Sequence, residues 1–315
     1  MSFSIIVKNE LARIIEEEQD LRLAELSALL RTTGGISIVG LNKLAFTVST
    51  ENSAIVRKVF RLLKICFEIN APIQLTERKK GRLYQIHVPH ERGANEILER
   101  IGIIEMQKDG LHLLDEVPKR LIEQEYAKRA YIRGAFLGCG SISHPQKAYH
   151  MEFATTEVAF SRKLIRILNS YDIGAKLILR KNMQVVYIKD SAKITDMLTL
   201  MGAKGARTTM DQILVEKQMI NDLNREVNCD TANIERTIQA AQRQIESIKY
   251  IKKKKGLSYL PENLQEIAKL RLKHFETPLG ELGKMMKKPL GKSGVNHRLK
   301  KIEEIAEQLR EKLGD

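Results

Sequence analysis

The segment from Pro278 to Lys301 is rich in side chains that bind nucleic acid. It contains seven basic residues and one acidic residue, a net charge of +6. Lysine and arginine contact phosphates, whereas asparagine, arginine and hydroxyl side chains also reach base edges. The predicted partner is therefore double-stranded DNA. The candidate contacts are Lys284, Lys287, Lys288, Lys292, Ser293, Asn296, His297, Arg298, Lys300 and Lys301.

A helix-turn-helix at about residues 275–308 would position these side chains. Thr277 and Pro278 are typical of an N-cap and a first helical position, and Ser293 is a candidate cap for the second helix. Gly283 is small where the two helices must cross. The second helix is predicted to bury a stripe formed by Val295, Leu299, Ile302, Ile305 or Ala306, and Leu309.

The far end of this second helix carries Glu303, Glu304, Glu307 and Glu311. Its acidity confines the predicted DNA contact to the N-terminal turns, as in a helix docked in the major groove. The alternative is an αα-hairpin with a solvated basic face, because the turn exceeds the usual three or four residues.

Charge across the whole chain supports the DNA-binding interpretation. The 315 residues carry a net charge of +14, and residues 223–315 contribute 20 basic and 13 acidic residues, a net of +7. A basic surface attracts polyanions, of which nucleic acid is the commonest. Upstream of the helix-turn-helix, one helix is predicted from an N-cap at Thr231 to Lys252–Lys255, with Ile234 and Ile238 in its apolar stripe. Another is predicted over 261–275, with Phe275 on its apolar face.

A second group of candidate residues lies in an internal repeat. Segments 26–38 (LSALLRTTGGISI) and 132–144 (IRGAFLGCGSISH) are similar, with an offset of 106 residues between Gly34 and Gly140. The sequences that follow them also match, including 50–63 with 156–168. The repeat predicts two units of helix–strand–strand–helix–strand–strand–helix, an α+β duplication.

The first helices of the two units, near Leu21–Thr33 and Lys119–Cys139, are expected to pack against each other. The small residues Ala24, Ala28, Gly134 and Gly138 lie where the backbones would approach. A glycine inside a helix costs about 1 kcal/mol relative to alanine, so Gly134 indicates close packing. Gly34, Gly35 and Gly140 fit helix ends.

Segment 132–142 resembles the LAGLIDADG helix motif of homing endonucleases, and 26–36 is a weaker copy. In that family an acidic residue ends each paired helix, and the two carboxylates hold divalent metal for phosphodiester cleavage. The corresponding residues here are Thr33 and Cys139. Neither supplies the anionic oxygen that magnesium prefers. The preceding acidic position is Arg31 in one copy and Leu137 in the other.

These replacements predict a scaffold with no catalytic residue, no metal site and no cofactor. One alternative is a metal-dependent nuclease that uses other residues. A nucleophilic role for Cys139 is a second, because His144 and His150 are near in sequence. The three cysteines form no CxxC pair, which argues against disulfides or zinc and suits a reducing cytosol. No apolar run is long enough to span a bilayer, so no membrane association is expected.

Three segments together resemble the WhiA family of bacterial regulators: 24–38, 130–143 and 293–307. The resemblance covers nearly the whole chain. It implies a duplicated LAGLIDADG-like αββαββα domain followed by an all-α helix-turn-helix domain. The implied boundaries are 1–117 and 118–221 for the two repeats and 222–315 for the helical domain.

The resemblance also implies a function, that of a non-catalytic DNA-binding transcriptional regulator of cell division and chromosome segregation. Related actinomycete proteins control sporulation, other regulatory or division proteins are an implied partner class, and the implied location is the cytoplasmic nucleoid. In an alternative, the duplicated domain docks proteins or ligands, or adds DNA contacts through Lys79, Lys80, Arg82, Arg180 and Lys181.

Overall fold

The computed structural model describes residues 2–79 and 81–314, so Lys80 lies outside the described residues. The chain divides into two compact units, Met1–Lys217 and Gln218–Asp315. Each unit has its own hydrophobic core. Within the described residues, no helix is both long enough and apolar enough to cross a membrane.

The first unit contains a short leading helix and two copies of one αββαββα pattern. The leading helix and the first copy, with its trailing hairpin, comprise α1 (Phe3–Leu11), α2 (Gln19–Thr33), β1 (Gly34–Gly40), β2 (Lys43–Thr50), α3 (Ser53–Phe67), β3 (Ile73–Arg78), β4 (Gly81–Val88), α4 (Ala94–Arg100), β5 (Ile104–Gln107) and β6 (Gly110–Leu113). The second copy comprises α5 (Glu125–Cys139), β7 (Gly140–Ile142), β8 (Met151–Thr155), α6 (Val158–Asn169), β9 (Lys176–Arg180), β10 (Met183–Ile188) and α7 (Ser191–Met201).

The two four-stranded antiparallel sheets have the same strand order, β1-β2-β4-β3 and β7-β8-β10-β9. In the first sheet Phe46 pairs with Ile36 and Val88, so these three side chains share one face. Alternation along β2 buries Leu44, Phe46 and Val48. The matching topology confirms the predicted α+β duplication.

Helix α5 begins later than the sequence indicated. The chain forms one turn of 3-10 helix at Lys119–Leu121, and α5 starts only at Glu125. Leu121 and Ile122 are buried in this connection. Arg120 also holds it, donating hydrogen bonds to the carbonyl oxygens of Glu99 and Arg100. Core burial of the connection therefore takes these residues out of the predicted helix.

Helices α2 and α5 pack closely at the predicted small residues. A Cβ placed on Gly134 would collide with the backbone carbonyl of Glu25 and lie 3.0 Å from the Cβ of Ala28. A Cβ on Gly138 would collide with Thr32, lying 2.7 Å from its Cβ. Glycine at these positions allows the two helices to touch.

Gly34 and Gly140 lie at the ends of these helices, as predicted. Gly34 and Gly140 have extended backbones, with φ of −88° and −80°. A Cβ on Gly140 would lie 2.7 Å from Cγ of Phe136, and one on Gly34 would collide with Leu30. Each helix therefore passes directly into a strand, and glycine is required by contact with the preceding turn.

A buried cluster of charges links α2, α3 and α5. The ammonium of Lys58 lies 2.6 Å from Oε1 of Glu25, and both side chains are fully buried. Arg133 donates to the same carboxylate at 2.9 and 3.2 Å and also pairs with Glu16. Lys58 further donates to the carbonyl of Leu11. The two cations and two anions balance inside the core.

The second unit is helical. Its helices are the distal part of α8 (Lys204–Lys254), α9 (Glu262–Lys273), α10 (Leu279–Lys284) and α11 (Lys292–Leu313). The predicted helix start at Thr231 is wrong, because α8 continues through that residue. The predicted buried stripe is also partly wrong, since Ile234 and Ile238 are 60% and 59% exposed. Phe275 is 56% exposed and lies beyond the end of α9.

Candidate nucleic-acid interface

Helices α10 and α11 and the seven residues between them form the predicted helix-turn-helix. A Cβ on Gly283 would collide with the carbonyl oxygen of Leu290 and lie 3.0 Å from Cγ2 of Val295. The backbone N–H of Leu290 donates to the carbonyl of Gly283 at 3.1 Å. Gly283 thus allows the chain to return across α10, as its small size predicted.

The caps of these two helices differ from the prediction. The N-cap of α10 is Pro278, with no side-chain hydrogen bond, so Thr277 does not cap it. The N-cap of α11 is Gly291, and Ser293 lies in the first turn. The turn is instead held from α9, where a carboxylate oxygen of Glu266 accepts the backbone N–H of Lys287 at 2.6 Å. No local sequence pattern indicates this long-range contact.

The predicted buried stripe of α11 is confirmed. Val295, Leu299, Ile302, Ala306 and Leu309 lie in the core of the second unit. Ile305 is only partly buried, which resolves the alternative in favour of Ala306. Because side chains on a helix repeat every 3.6 residues, Ser293, His297 and Lys300 lie on the opposite face.

The remaining candidate contacts are mostly on the solvent side. Asn296 is half-buried at the edge of the open face. The fully exposed candidates are Lys284, Lys287, Lys288, Lys292, Ser293, His297, Lys300 and Lys301. None of the six lysines in that set has a carboxylate within 4.0 Å among residues 2–79 and 81–314. Their charges are therefore available to phosphates.

Arg298 is the exception among the candidates. Its Nη1 donates to the backbone carbonyl of Asn263 at the start of α9, at 3.0 Å. On a helical wheel it lies next to the buried stripe, not on the open face. This hydrogen bond gives Arg298 a role in positioning α11 against α9, and its contact with DNA stays a prediction.

At the ends of α2 and α5, the resemblance to homing endonucleases places two catalytic acids. The side chains at these two positions form hydrogen bonds to carbonyl groups of their own helices. The hydroxyl of Thr33 donates to the carbonyl of Leu29 at 2.7 Å. The thiol of Cys139 donates to the carbonyl of Ala135 at 3.3 Å. Burial raises the pKa of Cys139 to about 12, only partly offset by the nearby ammonium of Lys8. The thiol is therefore neutral near pH 7.

Arg31 has a structural role in the position where the resemblance places an acid. Its guanidinium donates to the carbonyl oxygens of Leu114 and Asp115 at 2.9 and 3.2 Å, and also to that of Gly102. Burial lowers the pKa of Arg31, and nearby carboxylates oppose that shift. Across the described part of the chain, no group of three His, Cys, Asp or Glu side chains is arranged to hold a metal ion.

Helix α1 also borders this site, and the sequence analysis did not identify it as a functional element. Lys8 lies 6.0 Å from the centre of the Phe136 ring. Phe3 packs edge-on against His144, with ring centres 5.5 Å apart. Ser2 as N-cap, ahead of the buried Phe3, Val7 and Leu11, is a local pattern that could have revealed this helix.

Three family models match the chain. The WhiA N-terminal LAGLIDADG-like domain matches residues 19–104, and the WhiA LAGLIDADG-like domain matches residues 128–220. The WhiA C-terminal HTH domain matches residues 223–306.

Known relatives match over almost their full length. The probable cell division protein WhiA of Thermoanaerobacter pseudethanolicus is 48% identical over 316 residues, covering 99% of each chain. The protein of the same description from Clostridium botulinum is 42% identical over 314 residues, again covering 99% of each chain. The crystal structure of full-length WhiA from Thermotoga maritima matches with a TM-score of 0.61 and 27% identity, covering 98% of this chain and 99% of that one. The chain belongs to the WhiA family.

Proposed function

We propose that this chain is a non-catalytic transcriptional regulator that binds double-stranded DNA through its C-terminal helix-turn-helix. The observation that carries the proposal is the solvent face of α10, the turn and α11. There, six lysines with no carboxylate within 4.0 Å in the described part of the chain surround the N-terminal turns of a helix whose opposite face is anchored in a core. This arrangement matches a recognition helix docked in the major groove.

This surface makes two kinds of contact with DNA, one with phosphates and one with base edges. Lys284, Lys287, Lys288 and Lys292 lie on α10, the turn and the first residue of α11, where they contact phosphates and set the position of the helix. Asn296 and His297 lie on the first two turns of α11 and contact base edges. The acidic residues that begin at Glu303 lie further along the helix and stay away from the DNA.

The biological role in this proposal is control of cell division and chromosome segregation in the bacterial nucleoid, with sporulation control assigned to related actinomycete proteins. Cell division is supported by the description of two relatives, each 42% or more identical, as probable cell division proteins. Under the same proposal residues 1–117 and 118–221 are the two repeats, and residues 222–315 form the DNA-binding domain. The repeats serve as a scaffold and also present surfaces to other regulatory or division proteins.

Absence of catalysis is part of the proposal, and its support is the chemistry at the ends of α2 and α5. A hydroxyl and a neutral thiol stand where two metal-binding carboxylates would be needed. Incubation of the purified protein with supercoiled plasmid and Mg²⁺ or Mn²⁺ is expected to leave the plasmid intact. Metal-dependent cutting that is absent from a protein-free control would establish the nuclease alternative.

Binding measurements on the full-length protein test the DNA-binding surface. Bound sites are first mapped across the genome, and one site and its scrambled sequence are then used in fluorescence anisotropy. Asn296→Ala is expected to weaken binding to the site by about 1–3 kcal/mol more than to the scrambled duplex. Lys269→Gln, an exposed lysine on α9, is the control and should leave both affinities unchanged. Equal losses on the two duplexes from Asn296→Ala would refute base recognition by α11.

A further inference from the structure

An open cleft of about 760 Å³ lies at the ends of α2 and α5, bordered by α1 and the start of α3. Hydroxyl and amide side chains dominate its walls. Among the described residues that line it, Lys8 is the one cation and Glu51 the one carboxylate. Ile5, Ile55, Leu83 and Leu137 also line it, so the wall is of mixed polarity, and the cleft lies at the place where the related endonuclease motif carries acids.

Lys8 extends into this cleft without a counter-ion. Its side chain is partly buried, and desolvation lowers its pKa, with the Cys139 side chain opposing that shift. Apart from the face of Phe136, its ammonium has no hydrogen-bond or ion-pair partner among residues 2–79 and 81–314. Burying an ammonium without an anion costs free energy. Binding of an anion beside Lys8 would therefore lower the free energy of the protein.

Helix α1 holds Lys8 in a defined position. Both carboxylate oxygens of Glu10 accept backbone N–H groups at the start of α8, from Gly205 at 2.7 Å and Ala206 at 3.0 Å. Lys58 binds the carbonyl of Leu11 at the other end of α1. The backbone that carries Lys8 is therefore fixed beside the cleft, which reduces the entropy lost when Lys8 binds a ligand.

Hydrogen-bond donors for an anion are also present. Ser2, Ser49 and Ser53 line the cleft, and each of their hydroxyl oxygens accepts a hydrogen bond, from Ile5, Gln85 and Arg57 respectively. Their hydroxyl hydrogens make no hydrogen bond within the described chain and can donate to a ligand. The starts of α1 and α3 add the positive ends of two helix dipoles.

We propose that this cleft binds a phosphoryl group, held by the ammonium of Lys8 and the hydroxyls of Ser2, Ser49 and Ser53. The phosphoryl group belongs either to a free nucleotide, which would make the cleft an effector site, or to the backbone of DNA. Thr33, a neutral side chain, lines the cleft where the resemblance places a carboxylate, so that position does not repel phosphate.

The test uses full-length protein and three probes: inorganic phosphate, ATP and a 20-base-pair duplex. For a free nucleotide, calorimetry is expected to show ATP binding that Lys8→Gln weakens about tenfold or more, the loss of one charge-assisted contact. If the cleft binds a phosphate of the DNA backbone instead, ATP is expected not to bind, and Lys8→Gln is expected to lower the salt slope of duplex binding by about 0.9. Lys64→Gln, an exposed lysine on α3, is the matched control and should change neither quantity.

A second substitution shows whether an effect of Lys8→Gln comes from loss of the phosphate contact or from unfolding. Thr33→Asp restores a carboxylate at the cleft and should weaken the same phosphate contact by repulsion, with an unchanged circular dichroism spectrum. The proposal is overturned if neither ATP nor inorganic phosphate binds and duplex affinity and salt slope are the same for wild type and Lys8→Gln. It is also overturned if Lys64→Gln and Lys8→Gln have equal effects. Loss of DNA binding through α11 leaves the ATP measurement intact, so the nucleotide form of this proposal fails independently of the proposed function, whereas the backbone form rests on it.

Discussion

Substitution of Gly134 by alanine tests the close packing of α2 and α5 directly. In an unobstructed helix this change stabilises the protein by about 1 kcal/mol. Here the added methyl collides with the backbone carbonyl of Glu25 and lies 3.0 Å from the Cβ of Ala28. A backbone group cannot rotate away as a side chain can, so the two helices must separate. Overpacking of this kind costs about 1–3 kcal/mol, occasionally more.

The net effect expected for Gly134→Ala is destabilisation of the first unit by up to about 2 kcal/mol, the overpacking cost less the helix-propensity gain. For a unit of this size each kcal/mol lowers Tm by about 2–4 °C, which differential scanning calorimetry resolves. Gly294→Ala in α11 is the matched control, because its nearest neighbour is the Leu290 side chain at 3.6 Å, and it should be neutral or stabilising. A Gly134→Ala protein that melts at or above the wild-type temperature would refute the packing argument.

The remaining predictions concern charge and reactivity. Lys58→Met should destabilise the first unit by about 3–5 kcal/mol in urea unfolding, because Glu25 keeps its buried charge with one cation fewer, and adding Glu25→Gln should recover part of that loss. Cys139, with a pKa of about 12, has a thiolate fraction of about 10⁻⁴ at pH 8. Iodoacetamide should therefore label the exposed Cys229 first, which mass spectrometry would show. Equal labelling of the two cysteines would contradict the burial of Cys139. Burial of the protonated thiol also adds stability that is complete below pH 9 and is lost as pH rises from 9 towards 12. Lys287→Gln should lower the salt slope of DNA binding by about 0.9 on every sequence. Arg298→Ala should instead lower the Tm of the second unit, because it removes the hydrogen bond to Asn263. If Arg298→Ala lost sequence specificity but kept its stability, Arg298 would be a base contact.

The buried charges and the helix ends together describe how the α2–α5 pair differs from the LAGLIDADG motif of homing endonucleases. Charge remains in the centre of the α2–α5 contact, where Glu25 and Arg133 pair, but the ends of the helices hold only a hydroxyl and a thiol. The helix contact depends on Gly134 and Gly138, whereas cleavage would depend on carboxylates at positions 33 and 139. Packing and chemistry therefore use different residues of one motif, and one can be lost while the other is kept.

Several features of the fold and site could be predicted from the sequence because they are local or periodic. The repeat predicted two αββαββα units, and both sheets have the same strand order. The helical period predicted the buried stripe of α11 from Val295 to Leu309, and small residues indicated the close approach at Gly134. These signals lie within a few turns of chain, where residue type and spacing determine which side chains are buried.

Tertiary contacts decided the features that sequence reasoning missed. The partners Glu25 and Arg133 are 108 residues apart, and Arg298 and Asn263 are 35 apart, so no local pattern indicates either pair. Helix α8 passes through Thr231 although a capping residue was predicted to start a helix there. In the sequence Lys8 cannot be told from a surface lysine. Only the packing of α1 brings its ammonium beside Phe136 and removes it from water. Composition and periodicity determined which elements form and which faces are buried. The folded structure alone determined which charges meet or remain without a partner, because that depends on distances between distant parts of the chain.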